Sequence, residues 1–104
     1  MDLRVRYISD CPHRELAAQR VREALDRSGC VNLDVQHEHV TSEEHAAQLD
    51  FRGSPTILID GHDPFTDPHG TVGMSCRQYR TARGIEGAPS VEQLVAALAH
   101  TRHP

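Results

Sequence analysis

The segment 53–56 constrains the fold of this chain most, because it contains Pro55 and leads directly into the apolar run Ile57–Ile59. Proline has no main-chain N–H to donate, so it is confined to the start of a strand, an edge strand or a bulge. The β-branched and apolar residues that follow it are typical of a buried strand. A proline in this position also predicts a tight turn, in which the peptide bond between Ser54 and Pro55 can be cis.

A second feature is Cys11, which Pro12 follows, between an alternating apolar and polar stretch at 3–8 and an amphipathic stretch at 13–28. The first stretch predicts a strand and the second a helix. Pro12 suits the first helical position, where its missing N–H costs nothing. Main-chain N–H groups and the positive end of the helix dipole favour a thiolate there. The pattern therefore predicts a nucleophilic thiol at Cys11.

The rest of the chain continues this alternation of strands and helices. A second strand is predicted at 31–36, and Gly29 before it suits a helix end. Thr41 and Glu44 have the spacing of a helix-capping box, as do Ser90 and Gln93. The further predictions are a helix ending near 52–53, a strand at 56–60, a loop at 62–75 with a returning strand around 71–75, a connection at 83–89 and a final helix. The order βαβαββα predicts an α/β fold, a four-stranded mixed sheet flanked by helices, in one domain of residues 1–104.

Composition excludes several classes of protein. The net charge is -4 and the eleven basic residues are interleaved with acids, so no clustered basic face for nucleic acid is expected. No apolar stretch reaches the length of a membrane span, and the first residues lack the layout of a secretory signal. Three cysteines at wide spacing are not a disulfide framework. We therefore expect a cytoplasmic protein with reduced thiols and no membrane partner.

The segment 52–61 resembles the cis-proline segment of the thioredoxin-like superfamily, and residues 10–13 resemble the approach to its redox motif. The resemblance spans the chain from Leu3 to about Ala99. It implies that Cys11 is the nucleophile and that Pro55 faces it. It also implies that the main chain of Ser54 pairs with an extended substrate, and that Pro12 and Thr56 contribute to the same binding surface.

One residue departs from the family pattern, since Arg14 stands where the two-cysteine motif has its resolving cysteine. Cys76 is the candidate replacement, because a returning strand would bring it toward the active-site end, and its other interpretation is a packing residue. Arg77 and Arg80 make its surroundings electropositive by sequence. Asp10 and His13 are candidate proton or thiolate partners of Cys11, or residues that satisfy a turn and the first helical turn.

Three functions stay open at this stage. The first is thiol–disulfide oxidoreductase chemistry through Cys11, with a protein or low-molecular-weight thiol or disulfide as partner. The second is a thioredoxin-like binding module without turnover. The third follows a resemblance to proteins labelled alkylmercury lyase. In this chain Cys11 and Cys76 would bind a soft metal, and Asp10 or Asp63 would supply a proton. Cys30, at a helix end, predicts a structural role. The eight histidines lack a metal-binding motif, so no resident metal or other cofactor is expected.

Overall fold

A computed structural model describes residues 1–30, 32–66 and 70–102 of the chain. Within these residues the elements are β1 (Leu3–Tyr7), α1 (Arg14–Arg27), β2 (Val35–His39), α2 (Glu43–Leu49), β3 (Thr56–Ile59), β4 (Tyr79–Thr81), β5 (Gly84–Glu86) and α3 (Val91–Arg102). Val31 and residues 67–69 were predicted to lie in a strand and in a loop, and they lie outside the described residues. In the described part no helix is long and apolar enough to cross a membrane.

The strand β1 lies at the centre of a three-stranded sheet of order β2-β1-β3. It pairs in parallel with β2, as the helical crossover between them predicts, and antiparallel with β3. Leu3 and Val5 are buried, and they alternate with the half-buried Arg4 and Arg6. The register sets Arg6 opposite Thr56, so the end of β1 meets the start of β3.

The main core lies between the sheet and two helices. α1 and α3 contact each other, and the buried side chains of this cluster come from β1, β3 and both helices. They include Leu3, Val5, Val21, Ile57, Ile59, Leu94 and Leu98. A smaller cluster forms from Val40, Ala46 and Phe51 around α2. The protein is therefore a small mixed α/β globule with its larger core between the sheet and the α1–α3 pair.

Two helix ends follow the sequence signals, whereas the predicted helix end near 52–53 is wrong, because α2 ends at Leu49 with Asp50 as a left-handed C-cap. After α1, Gly29 has a left-handed φ of 76°, and Cys30 N–H donates to Leu25 at 2.8 Å, which together close the helix as a Schellman motif. Ser90 and Gln93 form the predicted reciprocal capping box at α3. The predicted start of α2 was wrong by one residue: Ser42 is the N-cap, and its hydroxyl accepts from His45 N–H at 3.0 Å.

The second half of the sheet differs from the prediction. No strand forms at 71–75, because Gly73 N–H donates to Phe51 and Met74 N–H faces a Glu43 carboxylate oxygen, so these groups do not enter a ladder. The strand lies later, at β4, and pairs with β5 in a separate two-stranded hairpin. The predicted connection at 83–89 therefore contains a strand. The second strand, predicted from residue 31, begins at Val35, because Leu33 N–H closes a turn onto Cys30.

Candidate functional site

Cys11 lies in the loop between β1 and α1 and is half-buried. The helix begins at Arg14 with His13 as its N-cap, so Pro12 is not at the first helical position and precedes the helix by two residues. The His13 side chain makes no capping hydrogen bond. Because the field of a helix end falls off within one turn, the dipole of α1 acts on Cys11 less directly than the sequence indicates.

The Cys11 loop and the Pro55 turn are at the same end of the sheet. Ile8 N–H donates to the Ser54 hydroxyl at 3.1 Å, and the peptide bond between Ser54 and Pro55 is cis. The buried Tyr79 hydroxyl donates to the Pro55 carbonyl. Burial raises the pKa of Tyr79, the positive charge of Arg77 opposes this shift, and the negative charges of Asp63 and Cys11 add to it. The Pro55 turn is therefore bonded to β1 through Ser54 and to the buried Tyr79 through its carbonyl.

The main chain of Ser54 is already paired within the protein. Its N–H donates to the Ser75 carbonyl at 2.8 Å, and its carbonyl accepts from Arg77 N–H at 2.9 Å. Ser54 and Cys76 thereby form an isolated parallel bridge. The expected free edge at Ser54 is thus absent, because the chain's own segment 75–77 occupies it. This pairing was not predicted, because the returning strand was expected several residues earlier in the chain, around 71–75.

Cys11 and Cys76 line different cavities. Cys76 is exposed and lines two cavities, of about 270 Å³ and 430 Å³, whereas Cys11 lines a cleft of about 670 Å³. Among the described residues, neither Cys76 cavity has a lining residue in common with that cleft. No disulfide joins any two of the three cysteines. Cys30 packs against the main core, and its thiol faces the Ser28 carbonyl at 3.8 Å.

The cleft that Cys11 lines runs between α1 and β2, and we call it the Cys11 cleft. Its lining residues are Cys11, Pro12, Arg14, Glu15, Ala18, Gln19, Arg22 and His37. Within the described ranges, no carboxylate lies within salt-bridge distance of Arg14 or Arg22. Arg14 instead lies 3.8 Å from the centroid of the Tyr7 ring. The cleft therefore presents two guanidinium charges against one carboxylate, that of Glu15.

His37 responds to these charges. Burial lowers the pKa of His37 below its ordinary value, and the charges of Arg14 and Arg22 lower it further. The spacing of the residues in the sequence carries a signal for this grouping. Arg14, Ala18 and Arg22 follow each other at helical spacing, which places them on one face of α1. The alternation of β2 brings His37 to the same cleft, but sequence does not show which strand that helix face meets.

Around Cys76, in contrast, the neighbouring arginine is neutralised. Arg77 is 8% exposed, and its guanidinium bonds to Asp63 at 2.6 Å and 3.4 Å. It also donates to the Thr56 hydroxyl at 3.3 Å and to the Phe65 carbonyl, and it lies over the Tyr79 ring. We call these residues the Arg77 network. The predicted electropositive surrounding of Cys76 is wrong as far as Arg77 is concerned, because this charge is paired with Asp63.

The remaining candidate residues take structural positions. Thr56 is buried, and its hydroxyl donates to the Gly53 carbonyl at 2.6 Å, so that side chain is not presented to a substrate. Asp10 lies in an exposed turn with a left-handed φ of 61°. His13 is half-buried, and its ring lies directly against Gly87 in the cavity that also contains Cys76. His13 therefore lines a cavity with Cys76 and is not among the residues that line the Cys11 cleft.

In the described part of the chain, no group of three or more His, Cys, Asp or Glu side chains is placed to hold a metal ion. Comparison of the chain with protein-family models, with curated proteins and with solved structures gives no match.

Proposed function

We propose that the chain adopts a thioredoxin-like fold and is a thiol protein that performs thiol–disulfide exchange through Cys11. The proposal is supported by the sheet order β2-β1-β3 and by the position of the Cys11 loop beside a proline turn. The observation that carries it is the surroundings of the thiol. Cys11 lines an open cleft with Arg14 and Arg22, and positive charge without a carboxylate partner stabilises a thiolate.

The reaction begins with attack by the Cys11 thiolate on one sulfur of a partner disulfide. The new bond joins Cys11 Sγ to that sulfur, and the old sulfur–sulfur bond breaks. The second sulfur leaves as a thiolate with the electron pair of that bond. Cys11 is oxidised to a mixed disulfide, while the partner that leaves is reduced. No further cofactor is needed for the balance of this step.

A second thiol must then release the bound partner, and Cys76 is the candidate in this chain. It is exposed, and its main chain is paired with Ser54 at the Pro55 turn. Its thiolate would attack Cys11 Sγ, form a bond between residues 11 and 76, and expel the partner as a thiolate. A disulfide requires Cα atoms within about 7 Å of each other. A peptide linked through residues 11 and 76 in oxidised protein identifies this route, whereas its absence leaves resolution to a second small thiol.

Removal of the Cys11 thiol tests the proposal. The variant Cys11→Ser should lose at least about 90% of the second-order rate at which the folded protein exchanges with an aromatic disulfide reporter, because thiolate is the nucleophile. Cys30→Ser is the matched control, since that thiol packs against the core. Stopped-flow absorbance measures the rate, and circular dichroism checks the fold. Equal rates for the wild type and Cys11→Ser would overturn the proposal.

A further inference from the structure

We infer that the partner of Cys11 is a low-molecular-weight disulfide that carries carboxylates, and that it enters through the Cys11 cleft instead of lying along the main chain of Ser54. This inference depends on the proposed function, since it names the substrate class and the route for that thiol. It comes from two independent observations. The strand edge at the Pro55 turn is occupied by the chain itself, and the Cys11 cleft is open.

The occupied surface is the edge of the Pro55 turn. An extended polypeptide that pairs with a strand edge needs a free N–H and a free carbonyl on that edge. Ser54 offers neither without disruption, because both groups already bond to Ser75 and Arg77. Displacing the segment would also pull on Arg77, whose guanidinium is buried with Asp63. An extended peptide would therefore have to break internal structure before it could bind.

The open surface is the Cys11 cleft. Its volume of about 670 Å³ lies in the usual range for sites that bind small molecules. Arg14 and Arg22 line it without a carboxylate partner among the residues described, and a guanidinium fork matches the two oxygens of a carboxylate. A disulfide with a carboxylate near each end can place one sulfur at Cys11 while a carboxylate contacts Arg22. A dication in the same cleft would meet two like charges.

The covalent step is the exchange already described, with the small disulfide as the oxidant. Cys11 thiolate takes one half of the disulfide and forms a mixed disulfide, and the other half leaves as a thiolate that keeps its carboxylate. Arg22 attracts the carboxylate of the bound disulfide through its charge, and it takes no part in the reaction at the sulfur atoms. It is therefore a binding residue for the substrate, and its removal should change selectivity for charge.

Three disulfides with the same two-carbon spacing separate charge from size: dithiodipropionate, which is a dianion, bis(2-hydroxyethyl) disulfide, which is neutral, and cystamine, which is a dication. Each rate with the wild type is divided by the rate of the same disulfide with thioglycerol, a neutral thiol that none of the three contains, because leaving thiols differ in reactivity. At low ionic strength we expect the normalised rate for the dianion to exceed that for the dication by about tenfold. Raising the salt concentration should shrink this ratio.

The variants assign the effect to the cleft. Arg22→Gln should lower the normalised rate for the dianion by about threefold and raise that for the dication, as expected for one charge several ångströms away in water. Glu15→Gln should move both rates in the opposite direction. Arg83→Gln is the matched control, because it removes the same charge at the β4–β5 turn, away from the cleft. Its effect should stay small in comparison.

A binding measurement separates failure of the route from failure of the thiol chemistry. In Cys11→Ser, which cannot exchange at that position, dithiodipropionate should shift the amide NMR signals of cleft residues in a saturable way, and Arg22→Gln should weaken this binding. If Cys11 reacts with no disulfide but this binding is seen, the proposed function fails and the anion site stands. Charge-independent rates, absent binding, or faster exchange with an extended cysteine-disulfide peptide than with the dianion would overturn the inference.

Discussion

Each cysteine of the candidate site has arginines beside it, but the protein uses their charge differently in the two regions. In the Cys11 cleft, Arg14 and Arg22 line open space without a carboxylate partner in the part of the chain that the structure describes. In the Arg77 network, Arg77 is buried, paired with Asp63 and bonded to two further oxygens. The comparison teaches that an arginine near a cysteine makes the surroundings of the thiol positive only when that charge is not already paired.

The largest expected effect comes from deleting the buried charge. Arg77→Met keeps much of the side-chain volume but leaves Asp63 without its cation and removes donors to Thr56 and Phe65. Because the two side chains are only 7% and 20% exposed, we expect a loss of about 3 kcal/mol in the free energy of unfolding. Urea denaturation measures it.

Arg22→Met is the matched control for that variant, since it makes the same chemical change in the Cys11 cleft. An exposed side chain away from a network changes stability by no more than about 0.5 kcal/mol. Similar losses in the two variants would contradict the contrast between the regions. A loss confined to Arg77→Met would support it.

A second, smaller effect concerns the packing of His13 against Gly87. A methyl group on residue 87 would occupy the place of the His13 ring, so Gly87→Ala forces the ring or the loop to move. Overpacking of this kind costs about 2 kcal/mol. The measurement is the midpoint and slope of urea denaturation for the single variant and for the same change made in His13→Ala.

Combining the two changes decides the cause of the loss. With the ring removed, the added methyl group has space, so Gly87→Ala should then cost less than about 0.5 kcal/mol. An equal cost in both backgrounds would mean that the loss arises from the backbone at residue 87. His13 would in that case be free to turn toward Cys11, and the difference between the two regions would become less sharp.

Local signals in the sequence predicted much of the fold, since they depend on neighbouring residues. The alternation at Leu3–Tyr7, the glycine after α1 and the capping box at Ser90 each specify a structure within a few residues, and each is present. The turn at Pro55 is of the same kind. Short apolar and polar patterns suffice where the partner of an interaction lies close in the chain.

The errors at the starts of α1 and α2 are local shifts of one or two residues, whereas those that bear on the site depend on partners distant in sequence. Whether the main-chain groups of Ser54 are free depends on residues 75–77. Whether the charge of Arg77 is paired or faces solvent depends on Asp63. The face of α1 that carries Arg14 and Arg22 becomes a cleft because His37 of β2 lines its other side. Such long-range pairings set the chemistry of this site, and no local pattern indicates them.

The smallest expected effect is on the titration of His37, to which the charges in the Cys11 cleft contribute after burial. Burial lowers its pKa from the ordinary value of 6.5, and the charges of Arg14 and Arg22 add to this shift, with Glu15 the acid that lines the same cleft. Arg22→Gln removes one of these contributions, so the pKa of His37 should rise toward its ordinary value. The imidazole signals in an NMR pH titration measure the change.

The same shift fixes the sign of a pH dependence in stability. Since the folded protein binds a proton at His37 less readily than the unfolded chain does, the unfolded state carries more protons as the pH falls below about 6.5. The His37 contribution should therefore favour folding at neutral pH and decline as the pH falls through 6.5 toward the lower folded pKa. The decline should be smaller in Arg22→Gln and unchanged in Arg83→Gln. If the two variants behave alike, the charge in the Cys11 cleft is screened by solvent, and it would then select ligands no better than the paired charge of Arg77.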